Sequence, residues 1–276
     1  MEIPDVATPA SEPEGGAHSG RVIKERYTLG RRLGQGATAE VYAAQDSVLE
    51  VERAVKLLTG GGAARERLRA RLTAEAKGMA GLEHPNILPI YDVGVDGATD
   101  YVIMKLARGG SLQDRLDRNG PMEPELACSF VVQLLSALDA AHRADIVHRD
   151  VKPQNILQDG EGQILLSDFG IALWQQHRYT QTGVGMGSLP YMAPEQRLDA
   201  SRVGPSADLY SAGATLYHLL TGANPVDLFA SPDFSPRWDD VPQALRPFLR
   251  KATSYDVEDR YADASVMAQA LLAAMP

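Results

Sequence analysis

The chain has almost no cysteine: Cys128 is the single one among 276 residues. One cysteine cannot form an intramolecular disulfide, so the sequence excludes a disulfide-stabilised scaffold. Cys128 lies in an apolar pattern with helical spacing, and we therefore interpret it as a buried core thiol. A reactive nucleophile is the less favoured alternative.

Basic residues are also in deficit. The chain carries 27 Lys and Arg against 36 Asp and Glu, a net charge of -9. Proteins that bind nucleic acid through its phosphates usually carry the opposite excess, so we expect no nucleic-acid partner. Residues 1–20 contain no Lys or Arg. Their Pro, Gly, Ser and acidic content predicts a flexible acidic tail, and they lack the basic start and apolar run of a signal peptide.

Long apolar runs are scarce. The longest stretch without a formal charge, Leu209 to Val226, has 18 residues and just reaches the length of a membrane span. Polar residues, two glycines and a proline interrupt it, which favours a buried core helix. We therefore expect a soluble chain that makes no membrane contact of its own.

The residues that are present suit a globular protein with two structural parts. Hydrophobic residues make up 44% and charged residues 23%, and the length allows about two domains. Short runs rich in β-branched and aromatic residues predict strands within 27–58 and at 87–90 and 101–106. Helical spacing predicts one helix through 68–79 and helical runs over 124–142, 206–221 and 242–272. Strands followed by helices indicate an α+β chain, which we divide into a tail (1–20), a small sheet-rich lobe (21–106) and a larger helical lobe (107–276).

Two features of the sheet-rich part suggest contact with phosphate. Gly34-Gln-Gly36 lies between predicted strands, where glycines let backbone amides approach phosphate oxygens, although Ala39 stands where a third glycine would be expected. Lys56 lies among apolar strand residues and needs an anionic partner, for which Glu75 is the candidate. Taken alone, an ordinary hairpin turn and an exposed Lys and Glu explain these residues equally well.

The strongest signal lies in the helical part. It reads His148-Arg149-Asp150-Val-Lys152-Pro-Gln-Asn155 and is followed by Asp168-Phe169-Gly170. Five such identities would occur by chance in about one chain in ten thousand. A carboxylate can accept a hydroxyl proton, a lysine can neutralise a migrating phosphoryl group, and an amide with a second carboxylate can hold Mg²⁺.

With these motifs the chain resembles the eukaryotic-type serine/threonine protein kinases, and especially their bacterial (Hanks-type) members, from Tyr27 to the C-terminus. The motifs follow the family's order. They are Gly34-x-Gly36, Ala54-x-Lys56, Glu75, His84-Pro-Asn, His148-Arg-Asp150, Asp168-Phe-Gly170, Ala193-Pro-Glu195, Asp208 and Arg260. The resemblance implies a bilobal fold, an ATP-dependent transferase that acts on protein substrates, and a cytoplasmic location. The chain could be a complete protein or the catalytic part of a longer membrane-anchored one.

The resemblance also implies roles for individual residues. Asp150 would orient the acceptor hydroxyl and Lys152 would neutralise the transferring phosphoryl group. Asn155 and Asp168 would hold Mg²⁺, with Mn²⁺ as an alternative. Lys56, paired with Glu75, would contact the α- and β-phosphates. The other expected ATP contacts are Leu33, Gly34, Gly36, Ala39, Val41, Ala54, Met104, Lys105, Ala107 and Leu157.

Further roles concern activation and stability. Arg149 would pair with a phosphate on the activation segment, where Thr180 and Thr182 are the predicted autophosphorylation sites and polar filler is the alternative. A homodimer that phosphorylates in trans is one candidate assembly. The remaining implied roles are structural: Ser188 replaces the commoner Thr and keeps a hydroxyl, Glu195 and Arg260 form a buried ion pair, and Asp208 braces the catalytic loop.

One segment departs from the family pattern. The segment 225–241 is shorter than the link that the family usually has at this place. It contains Phe229, Phe234 and Trp238. These aromatic side chains either form an exposed recognition patch or, as we favour, cover the helical core. Two other functions stay open, a pseudokinase and a small-molecule kinase. Both are less favoured, because every catalytic position is filled and because Lys152 and Ala193-Pro-Glu195 indicate a peptide-binding activation segment.

Overall fold

The computed structural model describes residues 16–36, 39–58, 81–160, 162–169, 189–199, 203–230 and 238–275. The described residues of Met1–Arg65 and Ile90–Leu106 form one compact unit, and those of Glu66–Pro89 and Ala107–Pro276 form another. Six residues singled out from the sequence lie outside the described ranges: Glu75, Gly170, Thr180, Thr182, Ser188 and Phe234. Residues 1–15 of the predicted tail and the helix predicted through 68–79 also lie outside them.

The first unit is an antiparallel sheet of six strands in the order β1-β2-β3-β4-β6-β5. The strands are β1 (Val22–Ile23), β2 (Tyr27–Gln35), β3 (Ala39–Asp46), β4 (Val51–Leu58), β5 (Ile90–Asp96) and β6 (Thr99–Met104). Short turns join most neighbours, as antiparallel pairing allows. In the β3–β4 turn, Asp46 accepts hydrogen bonds from the amides of Val48 and Leu49 and pairs with Arg26 at 2.7 Å. The Arg26 guanidinium therefore lowers the pKa of Asp46 strongly.

The two faces of this sheet differ because side chains alternate along each strand. One face carries the unit's hydrophobic core: Ile23, Tyr27, Leu29, Tyr42, Ala44, Val55, Leu57, Tyr101 and Ile103. The register pairs Val41 with Lys56 and Ala54 with Met104. Directly opposed residues project to the same side, so these four residues lie on the other face.

The second unit is mainly helical. Its elements are α1 (Leu112–Asn119), α2 (Pro124–Arg143), β7 (Ile156–Gln158), β8 (Ile164–Leu166), α3 (Pro194–Leu198), α4 (Pro205–Thr221), α5 (Arg246–Ala252) and α6 (Ala264–Ala274). Ser111 and Asp114 form a capping box at the start of α1, and four other helices have proline in their first turn. Gly222 ends α4 in the left-handed conformation, with φ of 68°.

Helices α2 and α4 lie in the core of this unit. All residues of α4 from Ala207 to Thr221 are buried, which confirms the core helix predicted over 206–221. Helix α2 is, among the described residues, long and apolar enough to cross a membrane, and half of that stretch is buried in the unit. Cys128 is fully buried on α2, and burial raises the pKa of its thiol to about 11. The prediction of a buried core thiol is confirmed.

Two predicted elements have different bounds in the structure. The strand predicted at 87–90 begins only at Ile90, and Ile87 instead makes a single parallel bridge to Leu166. The helix predicted within 242–272 is two helices, α5 and α6, separated by a bend. Arg260 explains the bend, because its guanidinium binds the carbonyls of Ser254 and Tyr255 and holds them out of a helical ladder.

Two aromatic residues of the segment 225–241 lie in the described part of the chain, and both pack against the helical core. Trp238 is 7% exposed and stacks on Tyr217 with ring centroids 5.8 Å apart. Phe229 is partly buried, packs against the helical core and makes an edge contact with Tyr255. These contacts agree with the favoured prediction that Trp238 and Phe229 cover the core.

Candidate active site

The glycine-rich hairpin belongs to the first unit. Strands β2 and β3 pair Gly34 with Val41 and Gln35 with Glu40, and the Gly36 amide donates to the Ala39 carbonyl at 2.8 Å. A Cβ added at Gly34 would meet none of the described atoms within 4 Å. Internal packing therefore does not require a glycine there, and the backbone stays open to the approach of a ligand.

The sheet face opposite the core gathers four of the predicted nucleotide contacts. Val41, Ala54, Lys56 and Met104 share this face through the β3–β4–β6 register. Lys56 is 7% exposed, and an ammonium so largely removed from water requires anionic neighbours. The other predicted contacts in this part of the chain are Leu33, which is more than one-third exposed, and the half-buried Lys105 and Ala107 that follow β6.

The catalytic-loop motif in the second unit folds into a cluster of hydrogen-bonded side chains. The Lys152 Nζ lies 2.9 and 2.8 Å from the two carboxylate oxygens of Asp150. The Asn155 Nδ2 donates to the Asp150 carbonyl at 2.7 Å and to its Oδ2 at 2.9 Å. The carboxylate of Asp150 is thus held in one orientation by a cation and an amide.

The short ribbon β7–β8 brings the second acidic residue to the same end of the unit. Ile156 pairs with Leu166, and the Asn155 carbonyl accepts from both the amide and the hydroxyl of Ser167 at 2.8 and 2.9 Å. Asn155 therefore lies opposite Ser167, and Asp168 follows Ser167 directly at the same end of the ribbon. Leu157, the predicted adenine contact of this unit, lies half-buried in β7.

Two residues of the motifs adopt a backbone conformation that side chains other than glycine rarely take. Arg149 has φ of 66° and Asp168 has φ of 62°. Such residues cost of order 1–3 kcal/mol each and persist only where their surroundings hold them. At Arg149, the amide donates to Asp208 at 2.7 Å and the carbonyl accepts from Gln196 at 2.7 Å.

Asp208 on α4 fixes the backbone of the loop that contains His148 and Arg149. Its carboxylate accepts from the amides of His148 and Arg149 at 2.8 and 2.7 Å and lies 2.8 Å from the His142 Nε2. The Asp150 amide donates to the His148 Nδ1, so the Nε2 of that ring carries the proton donated to the Ser167 carbonyl. His148 also contacts the ring of Phe169 edge-on at 4.6 Å.

Two residues that help to hold this loop, His142 and Gln196, were not predicted from the sequence. His142 and Gln196 contact Asp208 and Arg149 from positions 66 and 47 residues away. Neither residue lies in a spacing that marks it, although Gln196 directly follows Ala193-Pro-Glu195. The contacts arise because α2 and α3 both reach the loop.

The donor set suits a divalent metal bound together with phosphate. Asn155 and Asp168 offer one amide and one carboxylate, and among the described residues no three His, Cys, Asp or Glu side chains form a metal cluster. Mg²⁺ is usually held by one or two carboxylates, with waters and substrate phosphates completing its octahedron. The residues present therefore fit a nucleotide-bound metal.

Comparison with known proteins agrees with this geometry. The family model for the protein kinase domain matches residues 27–272. The chain belongs to the protein kinase family. Its curated relatives include the serine/threonine-protein kinases PrkC of Bacillus subtilis (37% identical over 261 residues), PknL of Mycobacterium tuberculosis (35% over 259) and PknH of the same organism (40% over 258). The prediction that the chain resembles the bacterial members of the serine/threonine protein kinase family is thereby confirmed.

A solved structure gives the same result. The kinase domain of M. tuberculosis PknI is 31% identical, with a TM-score of 0.73, and the match covers 93% of this chain and 98% of that one. The alignments span 90%, 89% and 88% of this chain but only 40%, 65% and 41% of PrkC, PknL and PknH. The predicted α+β kinase fold is confirmed, and the chain is a serine/threonine-type kinase domain that matches less than two-thirds of these relatives' length.

Proposed function

We propose that this chain transfers the γ-phosphoryl group of ATP to serine and threonine hydroxyls of protein substrates. The observation that carries the proposal is the fixed Asp150 carboxylate, which Lys152 and Asn155 hold at 2.8 to 2.9 Å. A carboxylate so oriented can accept the proton of a substrate hydroxyl. The neighbouring lysine can then neutralise the phosphoryl group as it moves.

For the nucleotide, the first unit supplies the glycine-rich hairpin, the apolar Val41 and Ala54, and the ammonium of Lys56. We propose that Lys56 contacts phosphate oxygens while Glu75 balances its charge. Asn155 and Asp168 would hold Mg²⁺, which, when bound, neutralises phosphate charge. The N-lobe and C-lobe boundary that we propose follows Leu106.

Activation is proposed to depend on the segment between Asp168 and Glu195. Thr180 and Thr182 would receive phosphate, and Arg149 would pair with it. Ser188 would contact Asp150 and Lys152. Trans-phosphorylation within a homodimer and a cytoplasmic location stay predictions of the sequence.

Intact mass tests the proposed function. The native chain, Asp150→Asn and the control Asp239→Asn are incubated with ATP and Mg²⁺; Asp239 has a fully exposed side chain. We expect phosphate-sized mass gains in the native chain and the control. In Asp150→Asn the rate should fall by about 10² to 10⁴, the usual contribution of a positioned base.

The alternatives predict other results. A native chain that gains no mass, yet melts at a higher temperature with ATP, would be a nucleotide-binding pseudokinase. Equal gains in the native chain and Asp150→Asn would remove Asp150 from the mechanism. Peptide mapping of the phosphorylated chain then shows whether Thr180 and Thr182 carry the phosphate.

A further inference from the structure

Residues 16–20 precede the region matched by the kinase family model, yet they pack on its sheet. We name this segment the N-terminal strap. The backbone amides of Ser19 and Arg21 donate to the carbonyls of Gly16 and His18 at 2.9 and 3.0 Å, which forms a tight turn. The Gly20 amide donates to the Leu29 carbonyl at 2.7 Å. The Ser19 hydroxyl donates to the Gly30 carbonyl at 2.8 Å. The strap is therefore fastened to β2, although the sequence predicted a tail through residue 20.

His18 of the strap belongs to a cluster of side chains around the buried carboxylate of Glu40. The Tyr42 hydroxyl donates to the Glu40 Oε2 at 3.1 Å, the Arg32 Nη1 lies 3.4 Å from its Oε1, and the His18 Nε2 lies 3.7 Å from its Oε2. Glu40 is 8% exposed. We call these four residues the Glu40 cluster.

The strap fits closely against Tyr42. The rings of His18 and Tyr42 meet edge-on with centroids 6.0 Å apart. A Cβ added at Gly16 would lie 2.7 Å from the Tyr42 hydroxyl oxygen and 2.8 Å from its ring. Only glycine permits the strap to approach so closely.

Glu40 lies in the nucleotide hairpin, but it faces away from the proposed ligand. It pairs with Gln35, the last residue of β2, while its neighbour Val41 pairs with Lys56. Because side chains alternate, Glu40 and Tyr42 project to the core face and Val41 projects to the Lys56 face. The strap thus contacts the hairpin on the core face of the sheet. The nucleotide is proposed to bind on the opposite face, which carries Val41 and Lys56.

We propose that the N-terminal strap is a positioning element for ATP, and that His18 and Glu40 are positioning residues that act through the hairpin. The inference rests on the proposed function, because it assigns the Gly34–Val41 hairpin to nucleotide phosphates. A hairpin ordered before ATP arrives loses less conformational entropy on binding, so fixing Glu40 raises the affinity. Displacing the strap frees the hairpin and weakens ATP binding without altering the catalytic loop.

The test uses the full chain with Gly16→Val and His18→Ala, and Ala17→Val as the control, because Ala17 is exposed in the same turn. Hydrogen exchange of the hairpin amides reports its order without any nucleotide. Autophosphorylation at varied ATP concentrations, with excess Mg²⁺, separates the KM for ATP from kcat. Melting temperature verifies folding.

We expect faster exchange at Gly36 and in β3, and a rise of roughly fivefold in the KM for ATP with kcat unchanged, in both strap variants. In addition, Glu40→Gln keeps an acceptor for the Tyr42 hydroxyl and should lose less ATP affinity than Glu40→Ala. Strap variants that match Ala17→Val in exchange and in KM overturn the inference alone. A native chain that binds no ATP overturns the proposed function and the strap's effect on affinity together.

Discussion

Arg260 and Glu195 form a paired, two-bond contact, with the Nη1 and Nη2 of the guanidinium each 2.8 Å from one carboxylate oxygen. The Arg260 side chain is fully buried and also donates to the carbonyls of Ser254, Tyr255 and Ser206. One guanidinium therefore connects α3, the first turn of α4 and the bend before α6. Removing the Arg260 side chain would leave the Glu195 carboxylate and three backbone carbonyls without this donor at the same time.

Arg260→Ala is expected to lower the free energy of unfolding by about 3 to 5 kcal/mol, since the Glu195 carboxylate is left without its counter-charge. Arg143→Ala is the control, because that side chain is 74% exposed and its pair with Asp139 lies on the helix surface. Such surface pairs contribute about 0 to 1 kcal/mol. Urea unfolding of both variants measures the difference, and equal losses would contradict the buried role of Arg260.

Asp208→Ala is expected to reduce kcat at least about tenfold, because the catalytic loop loses its correct geometry when the His148 and Arg149 amides lose their acceptor. The left-handed backbone of Arg149 then has fewer contacts to hold it. ATP affinity should change little, since Lys56 and the hairpin belong to the other unit. Steady-state kinetics separate the two effects, and a selective rise in the KM for ATP would refute this account.

His218 predicts a loss of stability in mild acid. His218 lies on α4, its Nδ1 is hydrogen-bonded to the Tyr191 hydroxyl, and burial lowers the pKa of the imidazole below 6.5. A folded-state pKa below the unfolded value means that the unfolded chain binds the proton more readily. Stability is thus complete above about pH 6.5 and declines as the pH falls, by at most about 1.4 kcal/mol per pH unit.

The variant His218→Gln removes this titration. Its free energy of unfolding should fall less between pH 6.5 and 5 than that of the native chain, as measured in urea at each pH. Tyr191→Phe keeps the imidazole and should keep the acid slope, while it lowers stability at neutral pH. Parallel slopes in the native chain and His218→Gln would exclude His218 as the source.

Cys128 is expected to lower the free energy of unfolding at alkaline pH. Burial raises the pKa of its thiol from 9.0 to about 11, so the unfolded chain ionises first. Its contribution is complete below about pH 9 and declines by about 3 kcal/mol as the pH rises to about 11. Cys128→Ala should show a shallower alkaline decline. A thiol reagent such as Ellman's should label native Cys128 only after denaturant is added; rapid labelling of the folded chain would contradict its burial.

Local sequence predicted the elements whose signals lie within a few residues. The strands around Tyr42 and Val55, the helix from Pro124 and the buried helix ending at Thr221 agree with their apolar spacing and turn residues. The single run drawn over 242–272 was wrong. Spacing alone cannot reveal a bend imposed by Arg260, whose partner Glu195 is 65 residues away.

The motifs likewise singled out Asp150, Lys152 and Asn155, which the structure brings into contact. They could not indicate that Gln196 holds the Arg149 carbonyl, nor that His18 reaches Glu40. Those contacts join residues 47 and 22 positions apart along the chain. They depend on which strand and helix faces meet after folding.

By itself, the sequence determined the family, the order of strands and helices, and the residue types available for phosphoryl transfer, because periodicity, turn chemistry and motifs are properties of neighbouring residues. Only the tertiary structure decided which face of the sheet carries Lys56, which amides the Asp208 carboxylate accepts from, and that residues 16–20 are bound to the β2–β3 hairpin. Contacts between distant residues form only where packing repays the entropy of bringing them together, and that balance belongs to the whole fold.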